Sequence, residues 1–217
     1  MRTFKPNLTS EMLLSCAESK VNESSRALDL GCGSGYVGIQ LAKSTKLKEL
    51  CCSDLDKKSF KKVSIEAKKY MVNLHFMQGS LFEPWQGEKF DLIVDDVSGV
   101  SEIVARLSPW FKDIPCDTGA CGTKLIRKVL GEAKEHLFTK GILIFPIISL
   151  SNKEKILKTA KKNFSSIKLF NKKNWFLPES MYSEIKVLET QKQLGNIFYE
   201  KRFGKIICST EVYIAKN

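Results

Sequence analysis

The sequence predicts an α/β protein built on a doubly wound, mostly parallel sheet of seven strands, the last of them antiparallel. Three observations carry that reading. Short apolar runs alternate with helical patterns along the chain, as βαβ units require. The run FDLIVD, Phe90 to Asp95, is apolar enough to be buried on both faces, as in a parallel strand. A glycine-rich turn, LDLGCGSGYVG from Leu28 to Gly38, leaves an apolar strand and opens a helix.

The elements follow in order. A helix begins at Ser10, with Glu11 in its first turn, and runs to about Lys20. Arg26 to Leu30 is the first strand, Tyr36 to Lys43 opens the next helix, and Leu47 to Ser53 is strand two. Lys57 to Tyr70 carries apolar residues at 60, 63, 67 and 70, a helical spacing, with Asp56 as its N-cap. Leu74 to Met77 is a short third strand and Phe90 to Asp95 the fourth. A long loop from Asp96 to about Ala120 follows, with a helical turn near Ile103 to Leu107. Gly122 to Phe138 reads as one long helix, with Leu125, Val129, Ala133 and Leu137 on one face. Gly141 breaks it before strand five, Ile142 to Ile148. Asn152 caps a helix to about Asn163, and Ile167 to Phe170 is strand six. Glu179 to about Gln193 is helical. Ile197 to Tyr199 pairs with Ile206 to Ile214 in a hairpin whose second arm lies antiparallel beside strand five.

With 217 residues, and without a linker, low-complexity tract or repeat, residues 1–217 read as a single domain, residues 1–25 being a helical lead-in. The longest apolar stretch, Gly141 to Leu150, is too short to span a bilayer, and the first residues lack a signal-peptide core. The expectation is a cytoplasmic protein with no membrane partner. Seven cysteines, at 16, 32, 51, 52, 116, 121 and 208, are odd in number and lack zinc-site spacing, so no metal is expected. The net charge of +11 invites nucleic acid as a partner, but only five of the 35 basic residues are Arg, the better phosphate fork. Nucleic acid is therefore possible and not favoured. His75 and His136 have no acid or nucleophile patterned around them and read as structural.

The glycine turn carries the chemistry. A strand that ends in a sharp bend, near a ligand, excludes Cβ atoms, and the following helix aims N–H groups at polar ligand atoms. Gly33, Gly35 and Gly38 also fit the dinucleotide spacing G-x-G-x-x-G, but that match starts two residues after Gly31 has left the strand. Asp29 stands two residues before Gly31. A carboxylate there repels a pyrophosphate and suits a cationic amino acid end. S-adenosylmethionine carries an ammonium and a sulfonium and no phosphate, so Asp29, Gly31, Gly33 and Gly35 favour it as cofactor. Asp54 closes strand two 23 residues after Gly31, where a carboxylate can accept both ribose hydroxyls, and Leu55 can cover a face of adenine.

LDLGCGSG, then SDLD, then MQGSLFEPWQGEKFDLIVDD resembles the first four motifs of class I, Rossmann-like S-adenosylmethionine-dependent methyltransferases. The branch it resembles is the small-domain group, which includes protein-glutamine N5- and rRNA guanine-N2-methyltransferases. FKPNLTSEMLL, Phe4 to Leu14, is similar to that family's segment lying over the cofactor, and Thr118 to Ile148 to its later helix, glycine break and fifth strand. The resemblance spans residues 4–150 and implies that Ser80 and Leu81 join Leu55 around adenine, Ser80 standing where the family often has Asp. It also exposes a departure. The family's amide and base methylators carry Asn-Pro-Pro-Tyr after strand four, where this chain reads Asp95-Asp96-Val97-Ser98. That removes the device for planar nitrogens and leaves Asp95 and Asp96 as the expected catalytic carboxylates, facing an N or O acceptor as base or positioning group.

Three functions are consistent with these residues. The first is a methyltransferase acting on a small molecule or protein in preference to RNA. The second is a cofactor-binding sensor or subunit without chemistry. The third, disfavoured by the glycine register and Asp29, is a nicotinamide-dependent oxidoreductase. The loop after strand four, with Trp110, Phe111, Asp113, Asp117 and Thr118, lies on the acceptor side, Trp110 and Phe111 lining a pocket or anchoring the loop. Trp175 and Phe176 before Pro178 cover either the sheet edge or the site.

Overall fold

A computed structural model describes residues 6–45, 47–111 and 116–217; Phe4 and Asp113, singled out above, lie outside the described residues. The strands are β1 (Arg26–Leu30), β2 (Glu49–Asp54), β3 (Leu74–Gln78), β4 (Phe90–Asp95), β5 (Leu137–Ile148), β6 (Ser166–Phe176), β7 (Glu200–Arg202) and β8 (Lys205–Lys216). The helices are α1 (Leu8–Glu18), α2 (Tyr36–Thr45), α3 (Lys57–Lys69), α4 (Glu102–Leu107), α5 (Lys124–Glu132), α6 (Lys153–Asn163) and α7 (Ile185–Gln193). The sheet order is β3-β2-β1-β4-β5-β8-β6, with β7 paired to β8 off that path. β1 to β5 pair in parallel, and β8 is antiparallel to both β5 and β6. The fold is the predicted Rossmann-like α/β sheet, seven strands in its main path with the antiparallel strand placed inside it.

Alternating side chains divide the sheet between two helical layers. Leu28, Leu30, Ile93, Leu143 and Phe145 pack against Ile126, Val129 and Leu130 of α5 and Ile156 and Ala160 of α6. From the opposite face, Ala27, Leu92, Val94 and Ile144 meet Met12, Leu13 and Cys16 of α1 and Val37 and Leu41 of α2. α3 closes the same face further along, through Val63 and Ala67. Each large side chain so buried stabilises the fold by roughly 1.5–3 kcal/mol.

Several boundaries differ from those read in the sequence. α1 starts at Leu8 because Asn7, not Ser10, caps it: Asn7 Oδ1 accepts from the Thr9 and Ser10 N–H groups at 2.8 and 3.2 Å. The long helix proposed from Gly122 to Phe138 is α5, a 3₁₀ turn over Ala133–His136, and then β5, which already begins at Leu137. Gly141 lies within β5. A Cβ there would sit 2.7 Å from the Phe90 carbonyl oxygen, beside the register shift between Phe90 and Leu92. The glycine marks a close backbone approach in a strand, not a helix stop.

β6 has 11 residues where four were read, since an edge strand with outward Lys168, Lys172 and Lys173 shows little apolar alternation. Ile197 and Tyr199 bury themselves beside Leu188 of α7 rather than pairing in a hairpin. The hairpin lies three residues later, β7 to β8, turning through Phe203 and Gly204 at φ +49° and +72°. Two consecutive left-handed residues make the tight turn whose twist matches antiparallel strands. Asp56 and Asn152 cap α3 and α6 as predicted, accepting from Lys58 N–H at 3.0 Å and Lys155 N–H at 2.9 Å.

Candidate active site

One cavity of about 960 Å³ lies over the carboxyl ends of the strands, where doubly wound sheets bind ligands. Its wall follows the sheet order. Gly31, Cys32, Gly33 and Ser34 after β1, Asp54 to Ser59 after β2, and Gln78 to Leu81 after β3 form one half. Val97 to Val100 after β4, with Trp110, Phe111, Leu125, Pro146, Ile148, Trp175, Phe176, Pro178 and Thr210, form the other. Asp96 stands between the halves, with Pro6 to Ser10 ahead of and into α1 on the same wall.

The turn after β1 is tied down by Ser53, whose carbonyl accepts from the N–H groups of Gly31 and Cys32 at 2.9 and 3.1 Å. Gly31, Gly33 and Gly35 all hold left-handed φ angles, of +75°, +52° and +76°. Their surroundings differ. A Cβ on Gly31 would meet Val97 Cγ1 at 2.8 Å, one on Gly35 would meet Val63 Cγ2 at 2.8 Å, and one on Gly33 would meet nothing within 4 Å. Gly33 therefore leaves the cavity clear, Gly31 lets the chain after β4 come close, and Gly35 seats α3 from behind the wall.

Asp54 is held by the backbone on both oxygens, accepting from Gly33 N–H at 2.8 Å and from Asp56 N–H at 2.8 Å. It lines the cavity beside Leu55, which is 69% exposed. Ser80 and Leu81 line it from the β3 side, Leu81 at φ +49°.

Three carboxyl groups sit close behind the turn, and strand alternation separates their roles. Asp29 faces the α2 side. Its Oδ2 accepts from Gly38 N–H at 2.8 Å, its Oδ1 is buried without a partner, and it does not reach the cavity wall. Burial pushes its pKa up to about 7; the Gly38 hydrogen bond opposes this and nearby Asp54 adds to it. Asp95 shares the face of Ile93. It is fully buried, accepts from Val97 N–H at 3.2 Å, leaves Oδ2 unpartnered, and is pushed up to about 7 by burial. Only Asp96 of the expected catalytic pair reaches the wall. Its N–H donates to the Leu30 carbonyl at 3.0 Å, and its Oδ2 accepts from Ser10 Oγ at 3.3 Å. Burial, then the charges of Asp29 and Asp95, holds its carboxyl well above the usual range against the Ser10 hydrogen bond.

The structure thus brings Gly31, Gly33, Asp54, Leu55, Ser80, Leu81 and Asp96 to one wall and sets Asp29, Gly35 and Asp95 behind it. Sequence reasoning missed Pro146, Ile148 and Thr210, which lie in β5 and β8 and look like core residues in the sequence. Trp110 and Phe111 do both things considered for them, packing with Leu177, Met181 and Leu188 and lining the cavity. Trp175 faces the site: its Nε1 donates to Thr210 Oγ1 at 3.1 Å, and its ring meets that of Trp110 edge-on at 5.6 Å.

Outside the cavity, His136 stacks on Phe82 at 4.4 Å and His75 meets the ring of Trp85 edge-on at 5.5 Å. Glu49, Cys51 and His75 bring ligating atoms within 4.8 Å of one another, but Glu49 is already matched by Arg26 at 2.5 Å.

Residues 5–96 match the model of the methyltransferase small domain. That match spans β1 to β4 and the glycine turn, under half of the chain. Over 130 residues, 55% of this chain and 44% of the relative, it is 34% identical to a release factor glutamine methyltransferase of Bacillus subtilis (strain 168). Over 139 residues, 61% of this chain and 45% of the relative, it is 28% identical to a ribosomal protein L11 methyltransferase of Wolinella succinogenes. The chain spans about half the length of the curated relatives it matches. Among solved structures it resembles a precorrin-6y C5,15-methyltransferase from Geobacter metallireducens GS-15, with TM-score 0.61, 11% identity and coverage of 100% of this chain and 94% of that one. At that identity the likeness is one of fold.

S-adenosylmethionine is the cofactor that these likenesses imply, and the residues present fit it. The side-chain-free cradle at Gly33 and the fixed Asp54 carboxylate suit a nucleoside, and the Asp29 carboxyl lies behind the turn, out of contact with the cavity. Among the described residues no helix is long and apolar enough to cross a membrane.

Proposed function

We propose that this chain transfers a methyl group from S-adenosylmethionine to a nitrogen or oxygen acceptor held at Asp96. One observation carries the reading: a single cavity runs from the glycine turn and Asp54, past Asp96, into an apolar chamber formed by the far half of the sheet. Gly31, Gly33 and Asp54 hold the donor, with Leu55, Ser80 and Leu81 around its base. Asp29 contributes from behind the turn, by fixing the first turn of α2 and by its negative field, and Gly35 by seating α3. When bound, the donor supplies a methyl group on a sulfonium. Asp96 orients the acceptor and takes the proton lost from its N–H or O–H group, a role its raised pKa suits. Asp95 acts on Asp96 through charge, not by contact with the acceptor.

The rival reading, a cofactor-binding subunit without chemistry, is favoured by the missing Asn-Pro-Pro-Tyr segment. A small molecule or protein side chain is preferred to RNA on the apolar character of the far half; the relatives do not bear on RNA either way.

The test uses methyl-labelled S-adenosylmethionine with cell extract, untreated or treated with protease or RNase, alongside calorimetry of cofactor binding. Asp96→Asn is expected to keep cofactor affinity within a few-fold and lose labelling. Asp54→Asn is expected to weaken cofactor binding by about ten- to a hundredfold, the range of one or two charged hydrogen bonds. Tight cofactor binding by the wild-type protein with no label in any fraction would support the binding-subunit reading instead.

A further inference from the structure

We infer that the chamber beyond Asp96 takes a small planar aromatic compound carrying an amine, its ring against Trp110 and Trp175 and its nitrogen at Asp96. This rests on the methyl-transfer reading and names the acceptor class for the same site.

The first support is what the chamber offers a ring. Trp175 is held by its hydrogen bond to Thr210, and Trp110 abuts it edge-on, so two indole surfaces are fixed before any ligand arrives. Pro146 and Pro178 add rigid apolar surface, and Phe111 is only 9% exposed. Preset aromatic walls favour flat rings, which gain stacking or edge-to-face contacts beyond simple burial, over flexible aliphatic chains, which lose rotamer freedom on entering.

The second support is charge. Among the described residues that line the chamber, none is Lys or Arg; Lys57 and Lys58 stand on the donor half. Among those residues a phosphate or carboxylate would find no counter-charge, and burying it so is costly. Among the described residues the ionisable side chain on the chamber's boundary is Asp96, with Asp29 and Asp95 behind it. Asp96, the carboxyl that faces the chamber, suits a basic amine, and a cationic amine over indole rings gains further attraction.

Calorimetry in the presence of S-adenosylhomocysteine, which keeps the donor half filled, tests this with matched probes. Tryptamine supplies ring and amine, indole-3-acetate ring and carboxylate, and cyclohexylamine an amine without an aromatic ring. Tryptamine is expected to bind at least tenfold more tightly than either of the others. Trp175→Leu and Trp110→Leu should each weaken tryptamine about tenfold while leaving S-adenosylhomocysteine affinity unchanged, which also shows that the variants are folded. Asp96→Asn should erase the preference for amine over acid. S-adenosylhomocysteine binding with no tryptamine binding, or with indole-3-acetate equal to it, overturns the inference and leaves methyl transfer standing. Failure of S-adenosylhomocysteine and S-adenosylmethionine to bind overturns both.

Discussion

Gly33 and Gly35 occupy the same turn with the same handed backbone, yet alanine at the two positions should damage different properties. Both substitutions force a Cβ into the left-handed region, which costs roughly 1–2 kcal/mol. At Gly35 the new methyl would also lie 2.8 Å from Val63 Cγ2, in a buried layer between the turn and α3, and overpacking of that kind costs a further ~1–3 kcal/mol. Gly35→Ala should therefore lose about 2–5 kcal/mol, a fall in Tm of roughly 4–20 °C for a protein of this size. Gly33→Ala should lose only about 1–2 kcal/mol, because nothing lies within 4 Å of its Cβ, while its methyl intrudes on the donor cradle. Urea denaturation followed by circular dichroism gives the stabilities, and titration with S-adenosylmethionine gives the binding. Adding Val63→Ala should recover the packing part of the Gly35→Ala loss, roughly 1–3 kcal/mol of coupling. Equal stability losses at the two glycines, or a double-mutant cycle with no coupling, would refute this division of labour.

The carboxyl groups make further predictions. Asp95 has its folded-state pKa raised from 3.8 to about 7, so the folded protein holds more protons than the unfolded one between those values. Its contribution to stability consequently falls as pH rises through that window, and the penalty is complete above pH 7; Asp95→Asn should stabilise the protein at pH 8 by up to about 4 kcal/mol and flatten the profile, measured by denaturation at pH 5 and 8. Glu211 has the opposite sign. It is 4% exposed, and burial would raise its pKa, but Lys153 at 2.6 Å, Tyr213 at 2.5 Å and Lys172 at 3.2 Å outweigh this and lower it. Its contribution is full above the ordinary carboxylate range and is lost as pH falls below it. Glu211→Gln should cost roughly 1–3 kcal/mol at pH 7 and narrow its difference from wild type in acid.

What could be read from the sequence follows from how local the determining forces are. The glycine turn, the Asp54 position and the caps at Asp56 and Asn152 depend on contacts within a few residues or one βαβ unit, so their patterns survive in the linear text. Asp95 and Asp96 are adjacent in sequence and look like one pair there. Alternation along β4 sends them to different environments, which only the neighbouring layers make visible. Gly141 is ambiguous in the sequence because a glycine looks the same whether it ends a helix or admits a carbonyl; the Phe90 oxygen that decides the matter is 51 residues away. The chamber was least legible. Thr210, Pro146 and Trp175 meet only because β8 lies between β5 and β6, and no local spacing records that insertion.

That inserted strand has a consequence for how the molecule is made. The donor half is assembled from β1, β2 and β3, neighbours in sequence as well as in space, and can form while later residues are still being synthesised. β5 and β6 stay unjoined until Lys205 to Lys216 slides between them, so the wall that would meet an acceptor is completed only after the residues that would grip the donor. A polypeptide halted shortly before Lys205 would retain the donor cradle's residues and lack Thr210, the anchor of the Trp175 ring.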